Sequence, residues 1–197
     1  ALFLYDTAGN ITAKSIMPYT DLANVFLVDG TITTYTYGNS SWGDMLTAYG
    51  GTSISYDAIG NPLNWRNASS MVWGGRQLDT HNFTNGDAVY YDYNSDGIRT
   101  RKLYWSDLYY TFRSHDYILD GTKIIQETVD DSITGQDYTL YYFYDESGVA
   151  GFEYNGVNYY FVKNIQGDVI EICNWNNGTV VQYTYDAWGK VLSVTGS

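Results

Sequence analysis

Tyr185-Asp186-Ala187-Trp188-Gly189 decides the reading of this chain, because its spacing recurs. Tyr-Asp, two variable residues and Gly stand again at Tyr5-Asp6-Thr7-Ala8-Gly9, Tyr56-Asp57-Ala58-Ile59-Gly60 and Tyr144-Asp145-Glu146-Ser147-Gly148. Variants keep the glycine four residues after the first position: Tyr93-Asn94-Ser95-Asp96-Gly97, Tyr117-Ile118-Leu119-Asp120-Gly121 and Lys163-Asn164-Ile165-Gln166-Gly167. The spacing predicts a strand running into a turn. Tyr closes the strand, Asp bonds the backbone two residues on, and Gly takes the positive φ that reverses the chain.

The stretches between these turns alternate at period two, as in Tyr138-Thr139-Leu140-Tyr141-Tyr142-Phe143-Tyr144 and Val180-Val181-Gln182-Tyr183-Thr184-Tyr185, the mark of strands. Asn85-Gly86, Asn155-Gly156 and Asn177-Gly178 add hairpin signals, since a two-residue turn with positive φ at both positions favours Asn-Gly. The expectation is an all-β chain of consecutive antiparallel hairpins, forming a curved strip or part of a hollow spiral β-shell. Residues 1–197 read as one repeat region, looser over 1–100 and tighter over 101–197. The segment Tyr19–Val28 fits a helical turn and a strand equally well.

Composition agrees. The 197 residues include 20 Gly, 22 Tyr, 7 Phe and 6 Trp beside 2 Pro, too many aromatics for a disordered chain. A net charge of -12 removes long-range attraction to phosphate backbones, so no nucleic-acid partner is expected. Cys173 is the single cysteine, and His81 and His115 the two histidines, which excludes an intrachain disulfide, a Cys-based zinc site and paired-His chemistry. No run approaches the roughly 20 apolar residues of a membrane-spanning helix. The start, Ala1-Leu2-Phe3-Leu4, has neither an initiator Met nor a basic leader, so the chain reads as a piece of a longer protein.

The repeated Tyr-Asp-x-x-Gly turn, the segment Tyr159-Tyr160-Phe161-Val162-Lys163-Asn164-Ile165-Gln166-Gly167-Asp168 and the closing Tyr183-Thr184-Tyr185-Asp186-Ala187-Trp188-Gly189-Lys190 resemble the bacterial YD-repeat (Rhs) proteins, over nearly the full length. The resemblance implies a strip that spirals into a hollow shell, as in Rhs polymorphic toxins and Tc toxin complexes, where the shell encloses a C-terminal toxin. It implies a secreted or cell-surface location, and as partners the remainder of the same polypeptide: further repeats and an enclosed C-terminal segment. The family's self-cleaving aspartate motif does not occur before Ser197, so neither that activity nor a toxin activity carries over.

Other constellations weigh less. Asp92-Tyr93-Asn94-Ser95-Asp96-Gly97 matches the first half of an EF-hand calcium loop, but Leu103 stands where the bidentate Glu belongs and the flanks read as strands. His115-Asp116, near Ser106 and Ser114, has the residue types of a triad without a Gly-x-Ser-x-Gly elbow. Asp130-Asp131 and Asp145-Glu146 are carboxylate pairs of the kind glycoside hydrolysis uses, expected by chance among 22 acidic residues. Trp42, Trp65, Trp73, Trp105, Trp175 and Trp188 offer platforms for sugar rings or, more simply, cross-strand packing. The Asn-x-Ser/Thr sites at Asn10, Asn39, Asn67, Asn82 and Asn177 read as turn chemistry.

The chain therefore reads as a non-catalytic structural module, with no catalytic, metal or cofactor site, whose key residues build turns. The alternative is a cell-surface adhesion or carbohydrate-binding module that uses exposed aromatics. An open strip also leaves unpaired edge strands, so self-association of the fragment is expected.

Overall fold

The computed structural model describes residues 2–16, 30–176, 178–186 and 189–196. The undecided segment Tyr19–Val28 lies outside these, as do Asn177 and Trp188. The chain divides into two compact units, Ala1–Gly86 and Asp87–Ser197. Every described element is a strand or a turn.

In the first unit, β1 (Leu2–Tyr5), β2 (Ile11–Ile16), β3 (Thr31–Tyr37), β4 (Leu46–Tyr49) and β5 (Thr52–Ser53) form an antiparallel sheet in sequence order. A hairpin of β6 (Ala68–Gly74) and β7 (Gln77–Phe83) follows. The second unit is a meander of β8 (Ala88–Tyr93), β9 (Arg99–Ser106), β10 (Thr111–Asp120), β11 (Lys123–Asp131), β12 (Tyr138–Asp145), β13 (Gly148–Tyr154), β14 (Val157–Lys163), β15 (Val169–Asn174), β16 (Gly178–Tyr185) and β17 (Val191–Gly196). Each of these strands pairs with its sequence neighbours only. The expected all-β architecture of consecutive antiparallel hairpins is what the chain adopts.

Among the described residues of the second unit, no element lies over either face of the meander: the sheet is one layer thick. Its stability consequently comes from ladders and cross-strand side-chain pairs rather than from a core between two layers. Val129 is the largest fully buried side chain. Aromatic contacts run across the strands: the Phe152 ring is stacked on Tyr159 with centroids 5.1 Å apart and meets Phe161 at 5.7 Å and Tyr142 at 6.4 Å, while Tyr138 meets Tyr154 edge-on at 5.8 Å. No helix among the described residues is long and apolar enough to cross a membrane.

Candidate functional site: the repeat turns and a histidine–glutamate–tyrosine cluster

Five of the seven repeat turns share one hydrogen-bond pattern. At Asp57, the backbone N–H donates to Asn61 O at 2.9 Å, and the carbonyl accepts from Gly60 N at 3.1 Å. The carboxylate Oδ1 accepts from the N–H groups of Ile59 and Asn61 at 3.0 and 2.8 Å. Gly60 has φ +86°, which a side chain would strain. This is a three-residue hairpin loop closed by a bulge with glycine in the left-handed region. Asp6 with Gly9 and Asn10 repeats it, as does Asp186 with Gly189 and Lys190. The hydrogen bonds from the following backbone, Asn10 for Asp6 and Asn61 for Asp57, hold both carboxyls below their ordinary range.

Two more turns have this geometry with asparagine in the aspartate's place. Asn94 Oδ1 accepts from Asp96 N and Ile98 N at 3.1 and 2.9 Å, with Gly97 at φ +80°. Asn164 Oδ1 accepts from Gln166 N and Asp168 N, both at 2.9 Å, with Gly167 at φ +91°. After Tyr93, then, Asn94 is the residue that caps the turn, and Asp96 supplies a backbone N–H.

Equal letters do not always give equal turns. In Tyr144-Asp145-Glu146-Ser147-Gly148, Asp145 pairs directly with Gly148 and Tyr144 with Val149, so the loop is one residue shorter than at Tyr185, which pairs with Val191. Asp145 Oδ1 accepts from Ser147 N and Oγ, both at 2.7 Å. Tyr117 lies inside β10 opposite Glu127, and the chain reverses later, at Gly121-Thr122 between the paired Asp120 and Lys123. At Asn155-Gly156 both residues have positive φ, +50° and +75°, as a two-residue hairpin requires.

The tyrosines before three of the turns reach backward. Their hydroxyls donate to a carbonyl at the start of an earlier strand: Tyr56 to Leu46 at 2.6 Å, Tyr144 to Ile124 at 2.8 Å and Tyr185 to Val169 at 2.6 Å. Tyr5 is exposed on β1.

A side-chain cluster lies across β10, β11 and β12. His115 Nδ1 and Glu127 Oε1 are 2.6 Å apart, and the Tyr142 hydroxyl donates to the other oxygen of the same carboxylate. Burial and then Glu127 push the phenols of Tyr117, Tyr138 and Tyr142 above their ordinary value of 10.0. The cluster ties three strands through one carboxylate. Glu127 is not among the residues singled out in the sequence. Its signal would have been register: His115 and Glu127 are near-opposite around the Gly121-Thr122 reversal.

The pairs read from the sequence are taken apart by strand alternation. Asp116 turns away from His115 to the opposite face, where its Oδ1 is 3.4 Å from Arg101 Nε and its Oδ2 accepts from Ser114 Oγ at 3.2 Å. Asp131, buried beside the exposed Asp130, is taken up by Arg113 through Nε at 2.9 Å and Nη2 at 2.5 Å, and by Thr134 Oγ1 at 2.8 Å. The Arg113 guanidinium holds its carboxyl well below the usual range. Among the described residues no group of three or more His, Cys, Asp or Glu is placed to hold a metal ion. Trp42 and Trp175 are exposed, one in each unit, whereas Trp73 donates its Nε1 to Pro62 O at 2.7 Å and Trp65 packs on Tyr49.

With this geometry in place, the comparisons with known proteins are direct. No protein-family model matches the chain. It is 28% identical over 194 residues to the tRNA3(Ser)-specific nuclease WapA of Bacillus spizizenii, covering 86% of this chain and 8% of that protein. The tRNA nuclease WapA of Bacillus subtilis matches to the same extent. The chain thus spans under a tenth of the length of these relatives. Among solved structures, TcdB2-TccC3 without its hypervariable C-terminal region superposes with a TM-score of 0.70 at 16% identity, over 98% of this chain and 10% of that one. TcdB2-TccC3 itself superposes with a TM-score of 0.66 at 15% identity, over the same shares. The chain has the fold found in these Tc toxin proteins. The resemblance to YD-repeat proteins read from the turns is borne out.

Proposed function

We propose that this chain is a non-catalytic wall segment of a YD-repeat shell in a secreted or cell-surface bacterial protein, and that the shell encloses a C-terminal toxin or effector made by the same polypeptide. The observation that carries the reading is the one-layer meander of β8–β17: each strand touches only its sequence neighbours, so the sheet has two free faces. An enzyme of this size encloses its site between layers or in a cleft. A partition instead needs two faces and a repeating method of continuing, and the turns supply the second. The fold shared with TcdB2-TccC3 supports this reading, as does the sequence likeness to WapA. The nuclease activity in the relatives' names belongs in this reading to parts of those proteins outside the aligned tenth.

The test is limited proteolysis of the full-length gene product, with the fragments followed by mass spectrometry. Enclosure predicts that the segment beyond this region survives until the repeat region is denatured. Immediate digestion of that segment, with residues 1–197 persisting, overturns it.

A further inference from the structure

The tip of the β13–β14 hairpin holds an asparagine whose side chain and following peptide unit are both free. Asn155 and Gly156 are the two turn residues between the paired Tyr154 and Val157, at φ +50° and +75°, and both are exposed. A two-residue turn points the Asn155–Gly156 peptide unit outward, and among the described residues none bonds its carbonyl, its N–H or the Asn155 carboxamide. A Cβ at Gly156 would meet nothing within 4 Å, so nothing crowds the turn. We infer that Asn155 is a site of spontaneous modification, at which the folded chain converts its own asparagine to aspartate and isoaspartate.

The reaction needs only the chain and water. The Gly156 nitrogen, its proton lost to hydroxide, attacks Asn155 Cγ; the Cγ–Nδ2 bond breaks and the amide nitrogen leaves as ammonia, taking a proton from water. The cyclic imide then adds one water, opening at Cγ to give aspartate or at the backbone carbonyl to give isoaspartate. Nothing is oxidised or reduced. Glycine has no side chain to cover the attacking nitrogen, and the rotation that brings it to Cγ breaks no hydrogen bond here.

Other asparagines in turns lack these conditions. Gly86, which follows Asn85, donates its N–H to Phe83 O at 3.2 Å, so its nitrogen is held. Asn94 and Asn164 each have Oδ1 fixed by two backbone N–H groups, and Ser95 and Ile165 follow them. Isoaspartate routes the backbone through Cβ and Cγ, one atom longer, which a two-residue turn with Tyr154 opposite Val157 does not accommodate. The tip should open, while the Phe152–Tyr159 stack, two pairs inward, holds the rest of the hairpin.

The site is independent of the enclosure reading and fails separately from it. The test incubates the 197-residue chain in mildly alkaline buffer made with heavy-oxygen water, once native and once in denaturing urea. Peptide mapping follows Asn155 and Asn85, each conversion being marked by incorporation of a heavy oxygen. In urea the two Asn-Gly sites should convert at similar rates. In the native chain Asn155 should outpace Asn85 roughly fivefold, the factor expected where one hydrogen bond must first open. Amide exchange at Val157 should then be faster in the isoaspartate form, and unchanged in Asn155→Asp, which carries the new charge without the extra backbone atom. Equal native rates at the two sites overturn the proposal, as does a native Asn155 that stays intact while it converts in urea. Unchanged exchange in the isoaspartate form overturns the opening of the tip.

Discussion

The Tyr185 hydroxyl donates to the carbonyl of Val169 at 2.6 Å, which fastens the end of β16 to the beginning of β15. Tyr144 and Ile124 repeat the relationship one hairpin pair earlier, at 2.8 Å. The tyrosine of the repeat therefore does more than end a strand. It locks the register of its hairpin by a bond that a one-residue slip would break. Tyr185→Phe and Tyr144→Phe, which keep the ring and lose the bond, should each lower stability by about 1 kcal/mol, read as a shift in urea midpoint at constant slope. Truncation to Ala should cost more, roughly 3–5 kcal/mol by analogy with Phe and Trp. Tyr5, exposed on β1, is the control, and its truncation should change stability by less than about 0.5 kcal/mol.

Gly151 is required by contact rather than by φ. A Cβ built there would stand 2.0 Å from the Tyr159 carbonyl oxygen and 2.7 Å from Phe143 Cζ. The Phe143 and Tyr160 rings, 5.4 Å apart, flank this glycine from β12 and β14. Since backbone is one of the clashing groups, Gly151→Ala should destabilise by about 1–3 kcal/mol, the cost of overpacking. Gly74, where a Cβ would meet nothing, should tolerate the same change. Thermal melts of the two variants separate the cases.

Glu127 satisfies His115 and Tyr142 at once, so its removal orphans two half-buried polar groups. Glu127→Ala should cost about 1–3 kcal/mol, and Glu127→Gln less, because the amide keeps one acceptor for the Tyr142 hydroxyl. A double-mutant cycle of Glu127→Ala with Tyr142→Phe should show coupling, with the double variant more stable than the sum of the singles.

Stability should form a plateau bounded on both sides by titration. Asp131, Asp6, Asp57 and Asp145 are held below the ordinary carboxyl value of 3.8, Asp131 by Arg113 and the others mainly by turn hydrogen bonds. Their contribution is complete above 3.8 and is lost as pH falls toward the folded values. Tyr56, Tyr117, Tyr138 and Tyr142 are raised above 10.0 by burial, and Tyr104 by its hydrogen bond to Asp87. These contribute fully below 10.0 and lose that contribution as pH rises through the folded values. His81, held below 6.5 by burial, loses its own contribution as pH falls from 6.5, so urea midpoints should be highest between about 6.5 and 10.0 and should fall on both the acid and the alkaline side. Asp131→Asn should flatten the acid limb.

The fold was legible because its signal is local. Each hairpin is specified by a short turn, of five residues in the repeat motif or two at Asn155-Gly156, and by period-two flanks, and no long-range decision is needed to place one strand beside the next. What stayed hidden depends on register. Tyr144 and Tyr185 share their motif but not their turn, because Asp145 pairs directly with Gly148 whereas Asp186 closes its loop on Lys190 beyond the glycine. Likewise Tyr117, Asp120 and Gly121 look like a repeat, but Asp120-Gly121-Thr122-Lys123 forms a tighter reversal first and leaves Tyr117 within the strand. The Glu127 cluster needs the register of three strands together, which no single motif carries. The tryptophans, prominent in the composition, contribute packing where they are half-buried, as Trp65 does on Tyr49.

β17 is the last strand of its sheet and pairs only with β16. Val191, Leu192 and Val194 on it are 46%, 63% and 60% exposed. Such an edge offers a row of unpaired backbone groups beside apolar side chains on both faces, and it carries no charged residue to discourage a second chain. The isolated chain should therefore self-associate by strand pairing at β17. Sedimentation velocity should show the weight-average coefficient rising with concentration in the micromolar range. Val194→Lys, a charge placed on the edge, should return the chain to a concentration-independent monomer without lowering the melting temperature, because the side chain already faces solvent. A monomer at every concentration in the parent chain would mean that the edge is already protected.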